Sequence, residues 1–340
     1  MDLQEIKRRR LAGQYLLEKA DAVTVAGNLC GIQAQFLGAA LHGLRIRTGS
    51  DETEGLVKTW TLRGTVHLIP EKDLPLYIRR KGTAEDVCES GWYQWLKGRG
   101  HALPPERERH FAHLVAENIA EGVDGREELR RICREAGMTE QEEQVLFSGW
   151  GGVIGELAQM GVICHKVQQE KAYRLCPRFE PLPEDEAWLK LGQRYFAHYG
   201  PATLRDAAYF FRLPQKDIRA WLRKLPVESF VCEGREYFHI PGETVDAEVP
   251  ECLFLAGFDQ LMLGYRKEDN PFLPAEHLRG IFNLAGIVLP PVLLHGRVVG
   301  KWKQDKQGAK VTLFEKITKK DQQLILRAGR EYWPRVDIEV

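Results

Sequence analysis

The chain has 340 residues, of which 44% are hydrophobic and 28% charged, with 48 basic and 48 acidic side chains. This composition excludes a disordered or collagen-like chain, and the length predicts two or three domains with cores of their own. The longest uncharged stretch, Ile281 to Gly296, is interrupted by two prolines, so we expect no membrane span. The charged N-terminus lacks the apolar core of a signal peptide, and we expect a cytoplasmic protein.

Cysteine and histidine spacing gives no indication of a metal site. The seven cysteines are an odd number without a CxxC pair, which favours buried thiols over a disulfide framework. His110 and His113 stand three residues apart on a predicted helix, but no third ligand accompanies them. We therefore expect neither a metal nor a cofactor.

Residues 1–100 are predicted to form a first winged-helix unit. Apolar spacing predicts helices over 4–19 and 22–46, followed by a β-branched run from Thr59 to Ile69.

Two uncharged amides, Gln33 and Gln35, lie within the predicted helix 22–46 in an otherwise apolar segment. Residues i and i+2 of a regular helix point to different faces, so the two amides converge only where the backbone is extended or entering a helix. Gly31 permits either conformation. Buried amides require hydrogen-bond partners, and from the residues alone a structural role is the default interpretation.

The run from Thr59 to Leu68 reads as one strand with an apolar and a polar face. A polar face that carries Arg and His suits phosphate contact, although an exposed sheet face has the same pattern. The apolar face would hold Trp60, Leu62, Val66 and Leu68, and the polar face Thr61, Arg63, Thr65 and His67.

Two further winged-helix units are predicted, over 101–182 and 183–245, because each shows helices followed by a β-hairpin. In the first, the elements are a helix over 126–136, a helical hairpin over 139–160 and strands over 162–164 and 172–175. In the second, they are helices over 187–199, from 203 and over 214–225, and strands over 229–232 and 237–240.

Residues 246–340 are predicted to form a small C-terminal β-domain with a basic hairpin. Short β-rich runs surround a tight turn at His295-Gly296-Arg297, and the second strand continues through Lys301 and Lys303. Residues 290–320 hold eight basic and two acidic side chains, a local surface that suits a phosphate backbone. A lysine-blunted sheet edge would show the same pattern. The predicted class is α+β, with tandem winged helix-turn-helix units and this β-domain.

Four segments of the chain resemble the AlkZ/YcaQ-like winged-helix DNA glycosylases. They are GIQAQ at 31–35, TLRGTVHLIP at 61–70, Phe258 to Arg266, and Leu289 to Lys303, and they keep their order over nearly the whole chain. The resemblance implies a DNA cleft and monofunctional excision of alkylated bases from double-stranded DNA. By position, Gln33 and Gln35 match the family's catalytic pair. The YcaQ-like branch has Asp in place of Gln35, so the AlkZ-like branch is the closer match.

Excision by amides alone is chemically reasonable for one class of lesion. An N7-alkylated purine already carries positive charge and leaves without protonation, so no acid is required. A glutamine carbonyl can orient water and face the developing sugar cation. We expect Gln35 to position the water and Gln33 to orient it or to bind the damaged nucleotide.

The remaining expectations concern DNA contact and the competing function. The residues expected to contact DNA are Arg63, Thr65, His67, Arg297, Lys301 and Lys303. We expect a monomer without membrane association. The alternative is a winged-helix DNA-binding transcriptional regulator, since fold alone does not decide function. The preferred lesion, unhooking of crosslinks, and a role in general repair or in self-resistance stay open.

Overall fold

Helices and strands alternate along the chain in an α+β arrangement, in a computed structural model that describes residues 1–79, 81–149, 151–242 and 247–339. The helices are α1 (Leu3–Gly13), α2 (Ala22–Asn28), α3 (Leu37–Thr48), α4 (Leu74–Tyr77), α5 (Gly91–Lys97), α6 (Pro105–Ala120), α7 (Arg126–Glu135), α8 (Glu140–Leu146), α9 (Gly152–Gln159), α10 (Glu184–His198), α11 (Leu204–Phe211), α12 (Gln215–Leu222), α13 (Gln260–Leu263), α14 (Leu278–Ile281) and α15 (Lys319–Gly329). The strands are β1 (Ile32–Gln33), β2 (Leu56–Trp60), β3 (Val66–Pro70), β4 (Ile163–His165), β5 (Tyr173–Leu175), β6 (Glu228–Cys232), β7 (Arg235–His239), β8 (Cys252–Phe254), β9 (Pro291–Leu294), β10 (Arg297–Gln304), β11 (Ala309–Leu313) and β12 (Val336–Glu339).

The chain divides into two compact units. The first consists of residues 1–54 and 189–340, and the second of residues 55–188. The predicted segment 1–100 therefore contributes to both units. The predicted boundary between 245 and 246 lies outside the described residues, and the division into four segments stays a prediction.

The second unit is built on two antiparallel hairpins. β2 pairs with β3, β4 pairs with β5, and β2 joins β4 through Lys58 and His165, which gives the order β3-β2-β4-β5. The predicted helix over 126–136 is α7, the predicted helical hairpin is α8 and α9, and both predicted strands are present. Helices α6, α7 and α9 bury a common apolar core that includes Phe111, Val115, Leu129, Leu157 and Tyr173.

In the first unit, α10, α11 and α12 precede the β6–β7 hairpin, in the predicted order. Thr203 and Asp206 form a capping box that begins α11, since the side chain of each residue accepts a hydrogen bond from the backbone N–H group of the other. Asp206 also pairs with the buried Arg10 of α1 at 3.6 Å. The capping signal read from the sequence thus coincides with a contact between distant parts of the chain.

The β-domain of the first unit is a five-stranded sheet in the order β12-β11-β10-β9-β8. β12 lies parallel to β11, and the other pairs are antiparallel. Gly300 sits at a register shift where a Cβ atom would lie 2.6 Å from the Thr312 carbonyl oxygen, so this position requires glycine. α15 covers the sheet, with Trp302, Trp333 and Phe254 packed beneath it.

Helix α3 is anchored to this β-domain through His42. The Nε2–H group of His42 donates to the Phe254 carbonyl oxygen at 2.8 Å. The ring is surrounded by Trp302, Tyr332 and Trp333, at centroid distances of 4.9–5.4 Å. Burial lowers the pKa of His42, so the ring packs as a neutral aromatic group.

The predicted helix over 22–46 is wrong, and so is the end of the helix predicted over 4–19. α1 ends at Gly13. α2 ends at Asn28 and α3 begins at Leu37, because Cys30 and Gly31 adopt φ angles of 55° and 92°, which no right-handed helix accommodates.

The predicted single strand from Thr59 to Leu68 is also wrong. Arg63 and Gly64 adopt φ angles of 60° and 65° and reverse the chain, so β2 and β3 form a hairpin. Side-chain alternation therefore restarts at Val66 and does not run through the turn.

No helix within the described ranges has the length and apolar character needed to span a bilayer.

Two buried carboxyl groups meet in the core of the second unit. Glu108 of α6 and Glu156 of α9 are 3% and 1% exposed, and Ser90 donates to Glu156 at 2.6 Å. Burial raises the pKa of Glu108 to about 7, and burial together with the adjacent Glu108 raises the pKa of Glu156 to about 8. The folded protein thus retains protons there that an unfolded glutamate releases near pH 4.

We predict that the free energy of unfolding falls by about 2 kcal/mol between about pH 6.5 and 8.5, because stability from a raised carboxyl pKa is lost as pH rises through it. Glu156→Gln keeps the contact with Ser90, removes one titrating group and should make this fall smaller. Urea unfolding at both pH values measures it. An equal fall in both proteins would contradict the prediction.

Candidate active site

The segment with the two glutamines is a tight reversal between α2 and α3. Gly31 has a φ of 92°, which favours glycine, and Ile32 and Gln33 that follow are extended. Tyr199 stabilises the start of this reversal, because its hydroxyl donates a hydrogen bond to the Leu29 carbonyl oxygen at 2.8 Å. The extended conformation that the sequence left open is therefore the one adopted.

The two amides lie in different surroundings. Gln33 is 7% exposed, whereas Gln35 lies at the surface directly before α3. Ala34 between them is fully buried. Gln33 is therefore placed by packing, and Gln35 is the amide that solvent or a large ligand reaches.

Gln33 borders a small cavity beside α3. The cavity measures about 10 Å³, and its polar lining also includes Arg47, Asp259 and Gln260. This volume has room for about one water molecule and none for a purine base. The Gln260 Nε2 group is buried and has no hydrogen-bond partner among the described residues, so this lining residue carries an unsatisfied donor.

The wall of this cavity is fixed by a buried ion pair. Arg47 of α3 donates from Nη1 and Nη2 to the two Asp259 oxygens at 3.0 and 2.8 Å, and both residues are at most 2% exposed. Arg47 also donates to the carbonyl oxygens of Gln14 and Gly43, and Asp259 accepts from the Leu261 amide at 2.9 Å. The pair is bidentate and fully hydrogen-bonded, so removal of one partner alone strands a buried charge.

Phe36 is a candidate site residue that the sequence reasoning did not single out. Its ring is 50% exposed and stacks on Phe258, with centroids 5.5 Å apart and planes 18° apart. Phe258 has a φ of 56° and begins one of the segments that carry the family resemblance. An exposed aromatic residue directly after Gln35 was the available signal.

In the second unit, Arg63 and His67 form a polar cluster at the β2–β3 turn. Arg63 Nη2 donates to His67 Nε2 at 3.1 Å, so the ring proton lies on Nδ1, within 2.8 Å of Thr61 Oγ1. Burial, aided by the Arg63 charge, lowers the pKa of His67 to about 3. His67 is 1% exposed and neutral, so its ring positions Arg63 and is not itself placed to contact phosphate. Thr65 is half-buried at the same turn.

The basic hairpin forms as predicted, with His295 and Gly296 at φ angles of 48° and 71° in its two-residue turn. The turn is tethered at both residues. Lys7 of α1 donates to the Gly296 carbonyl oxygen at 3.1 Å, and His295 lies 3.1 Å from Asp321.

The three predicted cations of the hairpin differ in their availability. Arg297 lies between Glu315 and Glu276, at 2.5 and 3.1 Å, and is already paired. Lys301 is half-buried, Lys303 is exposed, and neither pairs with a carboxylate in the described part of the chain. The lysines therefore remain candidates for phosphate contact, whereas Arg297 belongs to a local ion-pair cluster.

Among the described residues, no three His, Cys, Asp or Glu side chains form a group that could hold a metal ion.

Comparisons with known proteins point to one family. The model of the family described as DNA glycosylase AlkZ-like matches residues 26–333. A curated relative from Streptomyces sahachiroi, an interstrand DNA cross-link repair glycosylase, is 29% identical over 334 residues, which covers 90% of this chain and 88% of the relative. The solved structure of Streptomyces sahachiroi DNA glycosylase AlkZ matches with a TM-score of 0.74 and 26% identity, over 100% of this chain and 99% of that chain.

We predict that Asp259→Asn lowers the free energy of unfolding by about 3–5 kcal/mol, because the Arg47 guanidinium stays buried without its counter-charge. Asp51→Asn is the matched control, since Asp51 pairs with Arg45 of the same helix at the surface and should matter little. Urea denaturation measures both. Similar small effects of the two substitutions would show that the buried pair does not hold this region.

Proposed function

The chain belongs to the DNA glycosylase AlkZ-like family and is a DNA glycosylase, and we propose that it hydrolyses the N-glycosidic bond of N7-alkylated purines in double-stranded DNA. The observation that carries this proposal is the placement of the glutamine pair, with Gln33 packed beside the cavity and Gln35 exposed at the start of α3. No lysine occurs between residues 20 and 57, so the segment itself offers no amine for a covalent intermediate. Hydrolysis without strand cleavage is the corresponding reaction.

We assign the two amides different roles. The exposed Gln35 contacts the nucleotide, and its carbonyl oxygen positions the attacking water and faces the developing sugar cation. Gln33 orients the water or the nucleotide from its packed position. The purine leaves as a neutral base because N7 alkylation has already made it cationic, so neither amide has to transfer a proton to it.

Bulky adducts, including crosslinked ones, fit the same arrangement. The cavity of about 10 Å³ beside Gln33 cannot enclose a purine, whereas Gln35 and Phe36 lie at the surface. We therefore propose that the lesion is attacked against this exposed edge, with the Phe36 ring stacked on it. The curated relative is named for repair of interstrand crosslinks, and we extend that substrate class to this chain.

The helix–hairpin pattern supports winged-helix units as the DNA-binding framework. We propose that Arg63, held by neutral His67, and Thr65 contact phosphate in the second unit, and that Lys301 and Lys303 contact phosphate in the first. Arg297 would instead brace the basic hairpin through its two carboxylates. We propose a monomer. The family assignment favours the enzyme over a transcriptional regulator.

We predict that Gln35→Ala slows release of N7-methylguanine from duplex DNA by about 10²–10³-fold, because one positioned dipole is lost from the transition state. DNA binding should remain near that of the parent, since Gln35 is uncharged. Single-turnover release of the base, together with a gel-shift titration, separates the two effects. Excision at the parent's rate would refute the assignment of Gln35.

We predict that the double variant Lys301→Ala, Lys303→Ala flattens the slope of log K against log salt for duplex DNA by about 1.8, at ~0.9 for each phosphate contact. Arg297 is left intact because it is already paired. The control is the variant Arg327→Ala, Arg335→Ala, which removes two exposed cations that are already paired with Glu251 and Asp337 and should leave the slope unchanged. An unchanged slope in the hairpin variant would identify these lysines as a solvated sheet edge.

A further inference from the structure

A column of two indole rings and a guanidinium lies on α5 and the turn that follows it, far along the chain from the glutamine segment. Trp92 and Trp95 stack with centroids 5.0 Å apart and planes 13° apart. The Arg99 guanidinium carbon lies 3.9 Å from the centre of the Trp95 ring system. Trp95 is 46% exposed, which is a large apolar surface for a side chain that proteins usually bury.

Hydrogen bonds hold the segment that carries the column in place. Ser90 caps α5 by accepting from the Tyr93 amide at 3.0 Å, and the buried Tyr93 donates its hydroxyl to the Leu103 carbonyl oxygen at 2.9 Å. Beyond the helix, the Arg99 amide donates to the Leu96 carbonyl oxygen at 3.0 Å, and Gly100 turns the chain with a φ of 71°. The column is thus held by a short, hydrogen-bonded segment and does not depend on a long loop.

Two cations border the column. Lys97 and Arg99 follow the tryptophans at alternate positions, and both are exposed. Planar aromatic and guanidinium groups beside cations form the surface on which proteins stack unpaired bases while holding the adjoining phosphates.

We propose that the Trp92–Trp95–Arg99 column binds unpaired nucleotides of DNA, with a base stacked on the outer face of the Arg99 guanidinium and the adjoining phosphate held by Lys97. Glycosidic cleavage itself does not require such a site. Unpaired nucleotides arise where a lesion or crosslink distorts the duplex, so the column would add affinity for disrupted DNA. This inference rests on the proposed function only in that DNA is the ligand.

The chain offers a matched comparison for this column. Trp188 also carries a guanidinium over its ring, that of Arg79, at 3.7 Å. There, however, Glu184 accepts from both Arg79 and the Trp188 Nε1–H group, at 3.4 and 3.2 Å. A carboxylate at that position repels phosphate, so the same cation–π pair should not bind a nucleotide.

The test is a fluorescence-anisotropy titration of the full-length protein with a lesion-free labelled oligothymidylate. Trp95→Ala should weaken binding by about 5- to 150-fold, the range for loss of one stacked base, because the Arg99 guanidinium loses the ring that supports it. Trp95→Phe should retain most of the affinity because it keeps an aromatic face, and Trp188→Ala should bind like the parent. Thermal unfolding of each variant checks the fold, which the half-exposed Trp95 should not disturb.

The outcomes separate this proposal from the proposed function. Excision of N7-methylguanine from a short, fully paired duplex should be the same for Trp95→Ala and the parent. Oligothymidylate affinity unchanged in Trp95→Ala, or lowered equally in Trp188→Ala, would overturn the column as a nucleotide site and leave protein docking as its use. Loss of excision together with binding in a folded Trp95→Ala protein would also overturn it as a separate site. If the parent bound oligothymidylate through Trp95 but excised no base, only the proposed function would fail.

Discussion

The ion pair between Arg47 and Asp259 is the constraint on which the glutamine segment depends. The pair joins α3, which follows the segment, to the turn that begins α13. The Arg47 guanidinium also donates to the carbonyl oxygens of Gln14 and Gly43. A charged pair this deeply buried contributes little net stability compared with a well-packed apolar one. Its contribution is to positioning, because a bidentate contact fixes the position of α3 relative to the turn that carries Asp259.

The position of α3 against the Asp259 turn explains why the two glutamines have different surroundings. α3 lies close against the Ala256–Asp259 turn, with Gly43 leaving room for Ala256, and Gln33 is enclosed where the two meet. Gln35 lies just beyond this contact and remains open, next to the stacked Phe36 and Phe258 rings. In the proposed reaction, the rigid interior therefore holds one amide while the surface presents the other to a large substrate.

The parts of this structure that the sequence could predict are those with local causes. The capping box at Thr203, the two-residue turn at Gly296 and the β-rich runs around them are set by neighbouring residues, and they appear where expected. The break at Cys30 and the turn at Arg63 were missed because non-glycine residues hold positive φ angles there, which their sequence does not signal. The Cys30 thiol contacts the distant Leu191 carbonyl oxygen, whereas Arg63 is held by His67 of the same hairpin. Arg297 was taken for a free cation because its partners, Glu276 and Glu315, lie 21 and 18 residues away along the chain. The glutamine pair itself was identified by its resemblance to a family motif. Only the structure shows that one glutamine is buried and the other exposed.

The tether between Lys7 and the hairpin turn has a mechanical consequence. A β-hairpin whose two strands each pair with a further strand of the sheet, and whose tip contacts α1 and Asp321, does not swing into a groove as an independent arm. In the proposed complex, the duplex must therefore supply the movement and bend toward the protein. Bending energy depends on base-step stiffness, and pyrimidine–purine steps yield most readily. The flanking sequence would then influence how quickly a given lesion is found, without any side chain having to contact those bases.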